Sequence, residues 1–271
     1  MSSAVLPSGQ RVALVIEYDG ASFHGWQLQT GSAVRTVQAE LENALGLVAG
    51  QPVRLICAGR TDTGVHATHQ VAHFDAPVSR STRSWLLGSN RNLPDSIVVR
   101  GAHVVPADFH ARFSALSRRY LYLIHNSPVA SAIAVNRVAW VRPELNAGAM
   151  HDAAQILLGE QDFSSFRAAA CQSATALRCL HNMEVRRQGE LVLIEMQANA
   201  FLYHMARNIA GALIAVGRGL LTSADLAELL QARDRRLAPD TAAAHGLYLT
   251  GVTYPKNFDL PVYSPGPIIL Q

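Results

Sequence analysis

Apolar and polar residues alternate from Arg11 to Asp19, with Val12, Leu14, Ile16 and Tyr18 on one side, the period-2 pattern of a half-buried strand. The period then changes. Thr36 can cap a helix in which Val37, Leu41, Ala44, Leu45 and Val48 recur at helical spacing. A second strand is predicted over about Val53 to Ala58, running into a loop from Gly59 to Gly64, and a third over about Gln70 to Phe74. A helix from Thr82 to Asn90 and a strand from Ile97 to Val105 complete the first half.

In the second half, Phe113 to His125 reads as one long strand, with Tyr120, Tyr122 and Ile124 opposite Arg119, Leu121 and Leu123. Asn146 is placed to cap a helix reaching Leu158, with Gly159 beyond its end. Alternating runs from Leu177 to Arg187 and from Leu191 to Asn199 flank Gln188-Gly189-Glu190, a hairpin. His204 to Gly217 is helical in pattern, Thr222-Ser223-Ala224-Asp225 starts a further helix with a capping box, and Leu247 to Tyr254 closes as a strand before a Pro-rich tail. Strands and helices mix without βαβ regularity, so the expected class is α+β with mainly antiparallel sheet. The expected division is an N-terminal α+β lobe over residues 1–110 and a C-terminal α+β lobe over 111–271.

Composition narrows the class. Of 271 residues 49% are hydrophobic and 16% charged, enough apolar material for a substantial core. The longest apolar run, Ile209 to Val216, is far too short for a bilayer span, so no membrane partner is expected. Three cysteines in no paired spacing, behind an N-terminus without a secretory pattern, suggest free thiols and a cytoplasmic protein. Lys and Arg outnumber Asp and Glu by only 23 to 20, too little to mark a nucleic-acid binder. All but Lys256 of those bases are arginine, whose planar fork suits phosphate, although a codon bias gives the same excess.

Three clusters carry candidate chemistry. Gly59-Arg60-Thr61-Asp62-Thr63-Gly64 with His66 follows an apolar strand and sets a carboxylate two residues from a guanidinium. An ordinary turn, with Asp62 bonded to its own backbone, suits the same residues. Tyr203-His204-Met205-Ala206-Arg207-Asn208 joins a strand to a helix and puts Arg207 in its first turns. Asp108-Phe109-His110-Ala111-Arg112-Phe113, followed by Tyr120, interleaves arginine with aromatics, as stacking on RNA requires and as strands also favour. His66, His69 and His73 do not share strand parity and have no second ligand type at metal spacing, so no metal is expected. No phosphate-binding or dinucleotide glycine motif and no nucleophile elbow is present.

Taken in order, these clusters resemble the tRNA pseudouridine synthase A (TruA-type) family over nearly the whole chain. The likeness rests on Glu17-Tyr18-Asp19-Gly20 with Phe23-His24-Gly25-Trp26-Gln27, Gly59-Arg60-Thr61-Asp62, and Asp108 to Phe113. It continues through Gly159 to Phe166, Asn199-Ala200-Phe201, His204-Met205 with Arg207-Asn208-Ile209, and Gly246-Leu247-Tyr248-Leu249. Thr63, His69, Tyr203 and Ala174 depart from the usual family residues.

The resemblance implies a two-lobed α+β pseudouridine synthase fold, with the catalytic cleft between the lobes and helices flanking the sheet. It implies isomerisation of uridines 38, 39 and 40 in the tRNA anticodon arm, a homodimer, and no cofactor. Asp62 matches the catalytic carboxylate, Arg60 its motif partner and Arg207 the motif arginine. Tyr120, Leu247, His66 and Arg112 are the expected substrate contacts. Two alternatives stay open: a pseudouridine synthase for other RNA uridines, and a non-catalytic RNA-binding protein.

Overall fold

The computed structural model describes residues 5–29, 31, 33–262, 266, 267 and 270, so part of the Pro-rich tail lies outside the described residues. The chain forms two compact units, residues 1–116 with 249–271, and residues 117–248. The boundary thus lies at 116/117, beside the expected 110/111. Residues 249–271, which the sequence reading keeps with the C-terminal lobe, count with the first unit.

Unit 1 runs β1 (Val5–Leu6), β2 (Arg11–Tyr18), α1 (Val37–Ala49), β3 (Ile56–Cys57), β4 (His66–Asp75), β5 (Arg80–Ser81), α2 (Thr82–Asn92) and β6 (Ile97–Val104). Strands β6, β2 and β4 are neighbours and antiparallel, β3 pairs with β4, and β1 pairs with β5 apart from them. Strand β2 forms where the period-2 pattern puts it but is not half-buried as expected: Val12, Leu14 and Ile16 have no exposed surface, and Ala13 and Val15 between them are buried as well. Helix α1 begins where the Thr36 hydroxyl accepts from the Ala39 N–H, and turns Leu41, Ala44 and Leu45 inward. Helix α2 buries Trp85 against Phe74, ring centres 5.0 Å apart.

Two unit 1 elements differ from expectation. The strand expected over 53–58 shrinks to β3, because only Ile56 and Cys57 lie in the ladder, opposite His73 and Ala72, and Ala58 adds one hydrogen bond to Val71 beyond it. Strand β4 is longer than its apolar core suggests: its ladder with β2 runs from Ala67 opposite Tyr18 to Asp75 opposite Arg11, through buried histidines and Gln70.

Unit 2 runs β7 (Ser117–Asn126), β8 (Ala139–Val141), α3 (Ala147–Gln155), β9 (Gly159–Asp162), β10 (Leu177–Gln188), β11 (Leu191–Ala198), α4 (Met205–Gly217) and α5 (Ser223–Ala232). Its strand order is β7-β11-β10-β9, all antiparallel, with β8 parallel to β7. Strand β7 starts four residues later than expected, since the Ser114 N–H donates to the His110 carbonyl and holds that stretch as a turn. Asn146 caps α3, and Thr222 with Asp225 forms the expected capping box of α5. Helix α4 is apolar on nearly every side and buried accordingly. The last strand, β12 (Leu247–Thr253), begins in unit 2 and continues in unit 1, beside β4. The fold is α+β with mainly antiparallel sheet.

Candidate active site

The stretch that follows β3 is held by backbone and buried polar groups on every side. The Ala58 N–H donates to the Val71 carbonyl at 2.7 Å, and Gln70, fully buried on β4, donates to the Gly59 carbonyl at 2.6 Å. The Thr61 hydroxyl meets the Tyr18 hydroxyl at 2.8 Å, and the Thr61 carbonyl accepts from the Trp26 N–H at 3.0 Å. Asp62 closes the turn, its carbonyl accepting from the Val65 N–H at 3.1 Å. The Asp62 side chain is half-buried and Arg60 is exposed.

Two glycines let neighbouring chain lie flush on this turn. Gly25 has φ +81°, and a Cβ there would sit 2.7 Å from the Thr61 carbonyl oxygen. A Cβ on Gly20 would overlap the Val65 carbonyl. Next to it, His66 is buried, and its Nδ1 accepts from the Gly20 N–H at 3.0 Å. An Asp19 carboxylate oxygen lies 3.1 Å from the same nitrogen. Since an N–H can only donate, Nδ1 is the acceptor, and Asp19 instead takes the Ala21 N–H at 3.0 Å.

Arg112 stands on a loop that is itself anchored. Arg11 donates to the carbonyls of Ala107 and Phe109, Tyr254 donates to the Ala111 carbonyl at 2.7 Å, and the Ala111 N–H donates to His73 Nδ1 at 3.1 Å. Burial first, then the positive charge of Arg11, pushes His73 down to about 4, so its ring stays neutral. From this base Phe113 projects with 75% of its surface exposed. Its ring stacks on His110 with centres 4.4 Å apart, and the Arg112 guanidinium lies 5.3 Å from the ring centre. Burial pushes the Cys57 thiol up to about 12, opposed by Arg60 and Arg112, so both positive charges reach that side of unit 1.

The remaining expected residues lie in unit 2. Tyr120 on β7 is buried, its ring edge-on to Phe201 at 4.8 Å. Arg207 is the third residue of α4, a helix entered through His204 in a left-handed conformation at φ +61°. Arg207 Nε donates to the Ala242 carbonyl at 2.8 Å. Tyr122 donates to the next carbonyl, that of Ala243, at 2.9 Å. Burial raises the Tyr122 hydroxyl, and the Arg207 charge opposes the shift, so Tyr122 and Arg207 are neighbours. Gly246, where a Cβ would meet the Tyr122 ring at 2.8 Å, brings the buried Leu247 up beside them.

Unit 1 therefore carries Asp62, His66, Arg60 and Arg112, while unit 2 joins Arg207 to Ala242 on the segment that leads into Leu247. The sequence reading did not single out Tyr122, Ala242, Gly25 or Phe113 as site residues. Only Phe113 carried a local signal, as an aromatic beside an arginine. Among the described residues no three His, Cys, Asp or Glu side chains cluster as metal ligands do, and no helix is long and apolar enough to cross a membrane.

The fold is that of an α+β protein with a mainly antiparallel sheet, and its most tightly held loop carries Asp62. The tRNA pseudouridine synthase family profile matches residues 14–114 and 153–255. The chain belongs to that family. It is 52% identical over 260 residues to tRNA pseudouridine synthase A of Vibrio parahaemolyticus, covering 96% of this chain and 98% of that protein. With the same coverage, identity is 51% to the tRNA pseudouridine synthase A of Pseudoalteromonas atlantica and 49% to that of Legionella pneumophila. A solved Cbf5–Nop10–Gar1 complex aligns with 88% of this chain and 57% of its own at 10% identity and a TM-score of 0.32.

Proposed function

We propose that the protein converts uridines 38, 39 and 40 of the tRNA anticodon stem-loop to pseudouridine, with Asp62 as its catalytic carboxylate. The observation that carries this reading is the Asp62 turn, clamped through Gly59, Thr61 and Gly25, in a chain about half identical to tRNA pseudouridine synthases A. Such rigidity is what a group needs when it must meet one carbon of a large, mobile substrate.

The reaction breaks the C1′–N1 bond, turns the uracil and joins C1′ to C5. N1 gains a proton and C5 loses one, so atoms balance without oxidant, donor or cofactor. Ionised Asp62 starts the reaction, either by attacking C1′ or by taking the C2′ proton to leave a glycal. A primary isotope effect from deuterium at C2′ marks the second route. Arg60 and Arg207 offer planar guanidinium forks to the RNA phosphates. Tyr120 and Leu247 receive the base, which is extruded from its stack at a cost of a few kcal/mol. Arg112 with Phe113 grips RNA. His66, whose Nδ1 is spent on Gly20, serves the substrate through the loop that it holds. The reading also takes the enzyme to be a cytoplasmic homodimer, as the sequence resemblance implies.

The test is to map pseudouridine in tRNA from cells carrying the wild-type gene, no gene, or Asp62→Asn. The reading expects positions 38–40 to lose the modification in the last two, and purified Asp62→Asn to bind tRNA within several-fold of wild type. Modification retained by Asp62→Asn overturns it, and loss at other RNA positions alone reassigns the substrate.

A further inference from the structure

Arg207 does not choose its own direction. It and Ala242 are joined twice: the Ala242 N–H donates to the Arg207 carbonyl at 3.2 Å, and Arg207 Nε returns a hydrogen bond to the Ala242 carbonyl at 2.8 Å. A guanidinium anchored through Nε has its plane fixed, and with the plane go the directions of its remaining N–H groups. Whatever sets the place of residue 242 therefore sets the aim of Arg207.

That place is set by a triangle of polar side chains. Asn208, 1% exposed, donates from Nδ2 to the Phe166 carbonyl at 2.7 Å, which fixes its amide. Its Oδ1 accepts from the Thr241 hydroxyl at 2.6 Å and from Arg235 Nη2 at 3.2 Å. Arg235 Nη2 also reaches the Thr241 hydroxyl at 3.1 Å, and Nη1 donates to the carbonyls of Ala238 and Pro239, both at 3.0 Å. One guanidinium thus ties the 238–241 segment to Asn208, the residue that follows Arg207 on α4. One turn further along the helix, a Cβ on Gly211 would overlap the Asp240 carbonyl, so the segment lies directly on the helix backbone. The network is costly to order and buried at its centre, and a closed set of donors and acceptors holds one arrangement.

We infer that Arg235, Asn208 and Thr241 are positioning residues that aim Arg207 through the Ala242 carbonyl. The inference rests on the reading of Arg207 given above. Thr241→Val keeps the shape and removes the hydroxyl from the centre of the triangle, whereas Thr241→Ser restores it. Misaiming by a fraction of an ångström is expected to lower kcat roughly tenfold, with KM for tRNA held within about twofold. Thr241→Ser should return kcat to within about twofold of wild type.

The deciding measurement is a double-mutant cycle. In an Arg207→Lys background there is no planar fork to aim, and Thr241→Val should change kcat by less than about twofold. An equal fold-loss in both backgrounds would mean that the triangle only supports the fold, and unchanged kcat in Thr241→Val would overturn the inference outright. If Arg207→Ala itself turns over at the wild-type rate, the fault lies in the reading of Arg207 and not in the triangle. Arg235→Gln, judged by the same cycle, replaces Thr241→Val if that variant does not fold.

Discussion

Replacing Gly25 by alanine tests whether the Asp62 turn must be held to sub-ångström tolerance. The residue sits at φ +81°, where a side chain costs about 1–2 kcal/mol. The new Cβ would also fall 2.7 Å from the Thr61 carbonyl oxygen, 3.1 Å from the Asp62 carbonyl carbon and 3.2 Å from the Thr63 nitrogen. All three are backbone atoms and cannot rotate away. Ordinary contact begins near 3.4 Å, so the Thr61 carbonyl must retreat by about 0.7 Å, away from the Trp26 N–H bonded to it at 3.0 Å. Strain and the weakened bond together are expected to cost about 2–4 kcal/mol and to lower Tm by roughly 5–10 °C. Because the displaced backbone is that of Asp62 itself, kcat should fall about 10- to 100-fold while KM for tRNA stays within about threefold. Turnover is followed as tritium released from C5-labelled uridine in tRNA, since that hydrogen is replaced by the glycosidic carbon. Gly189→Ala is the control: φ is +59° there, but a Cβ would meet nothing within 4 Å, so stability should drop slightly and kcat not at all. If Gly25→Ala melts and turns over like wild type, the turn tolerates displacement and the argument from its rigidity fails.

Two further outcomes follow from unit 1. Phe113→Ala should raise KM for tRNA about 5- to 150-fold with little change in kcat, given about 1–3 kcal/mol for a base on an aromatic ring; an unchanged KM in filter binding and kinetics would make the exposed ring mere loop packing. The second concerns pH: folded His73 takes its proton only at about 4 while the unfolded chain takes it near 6.5, so unfolding binds a proton between those values. Stability should therefore decline as pH falls from about 6.5 to 4 and level off below, by up to about 3 kcal/mol from this residue, and burial acts in the same direction on His69, His103 and His110. His73→Gln retains an acceptor for the Ala111 N–H without titrating, so its Tm should depend less on pH, and parallel melting curves for the two proteins would refute the assignment.

What could be read from the chain alone follows the range of the interaction concerned. The period-2 pattern marks where β2, β10 and β11 lie, although only β10 keeps outward residues along its length, and Thr36, Asn146 and Thr222 announce their helices because a cap acts within three residues. The expected strand begins at Gln70 and not at His66 because the buried His66 and His69 look like surface residues; each bonds to a partner distant in sequence, Gly20 and Pro261. Strand β8 has only three residues and a parallel partner, too little for a period. Nor could any local pattern assign 249–271 to unit 1, since that depends on where β12 pairs.

The site divides along the same line. Asp62, Arg60 and Arg207 are visible as chemistry, because a carboxylate or guanidinium in a glycine-bracketed loop or at a helix start is unusual in itself. Several residues that hold their surroundings have none of that chemistry. Gly25 acts by lacking a Cβ against Thr61, Gly211 by lacking one against Asp240, and Ala242 by a carbonyl that any residue carries. Their contribution exists only once segments 29 residues apart or more are in contact, as Gly211 and Asp240 are. A scan for titratable side chains passes over all three, yet a methyl group added at Gly25 or Gly211 presses on backbone of the Asp62 turn or of the segment that holds Arg207. The tolerance of this enzyme to substitution should therefore be lowest at small residues facing the Asp62 turn and α4, and not only at the charged residues themselves.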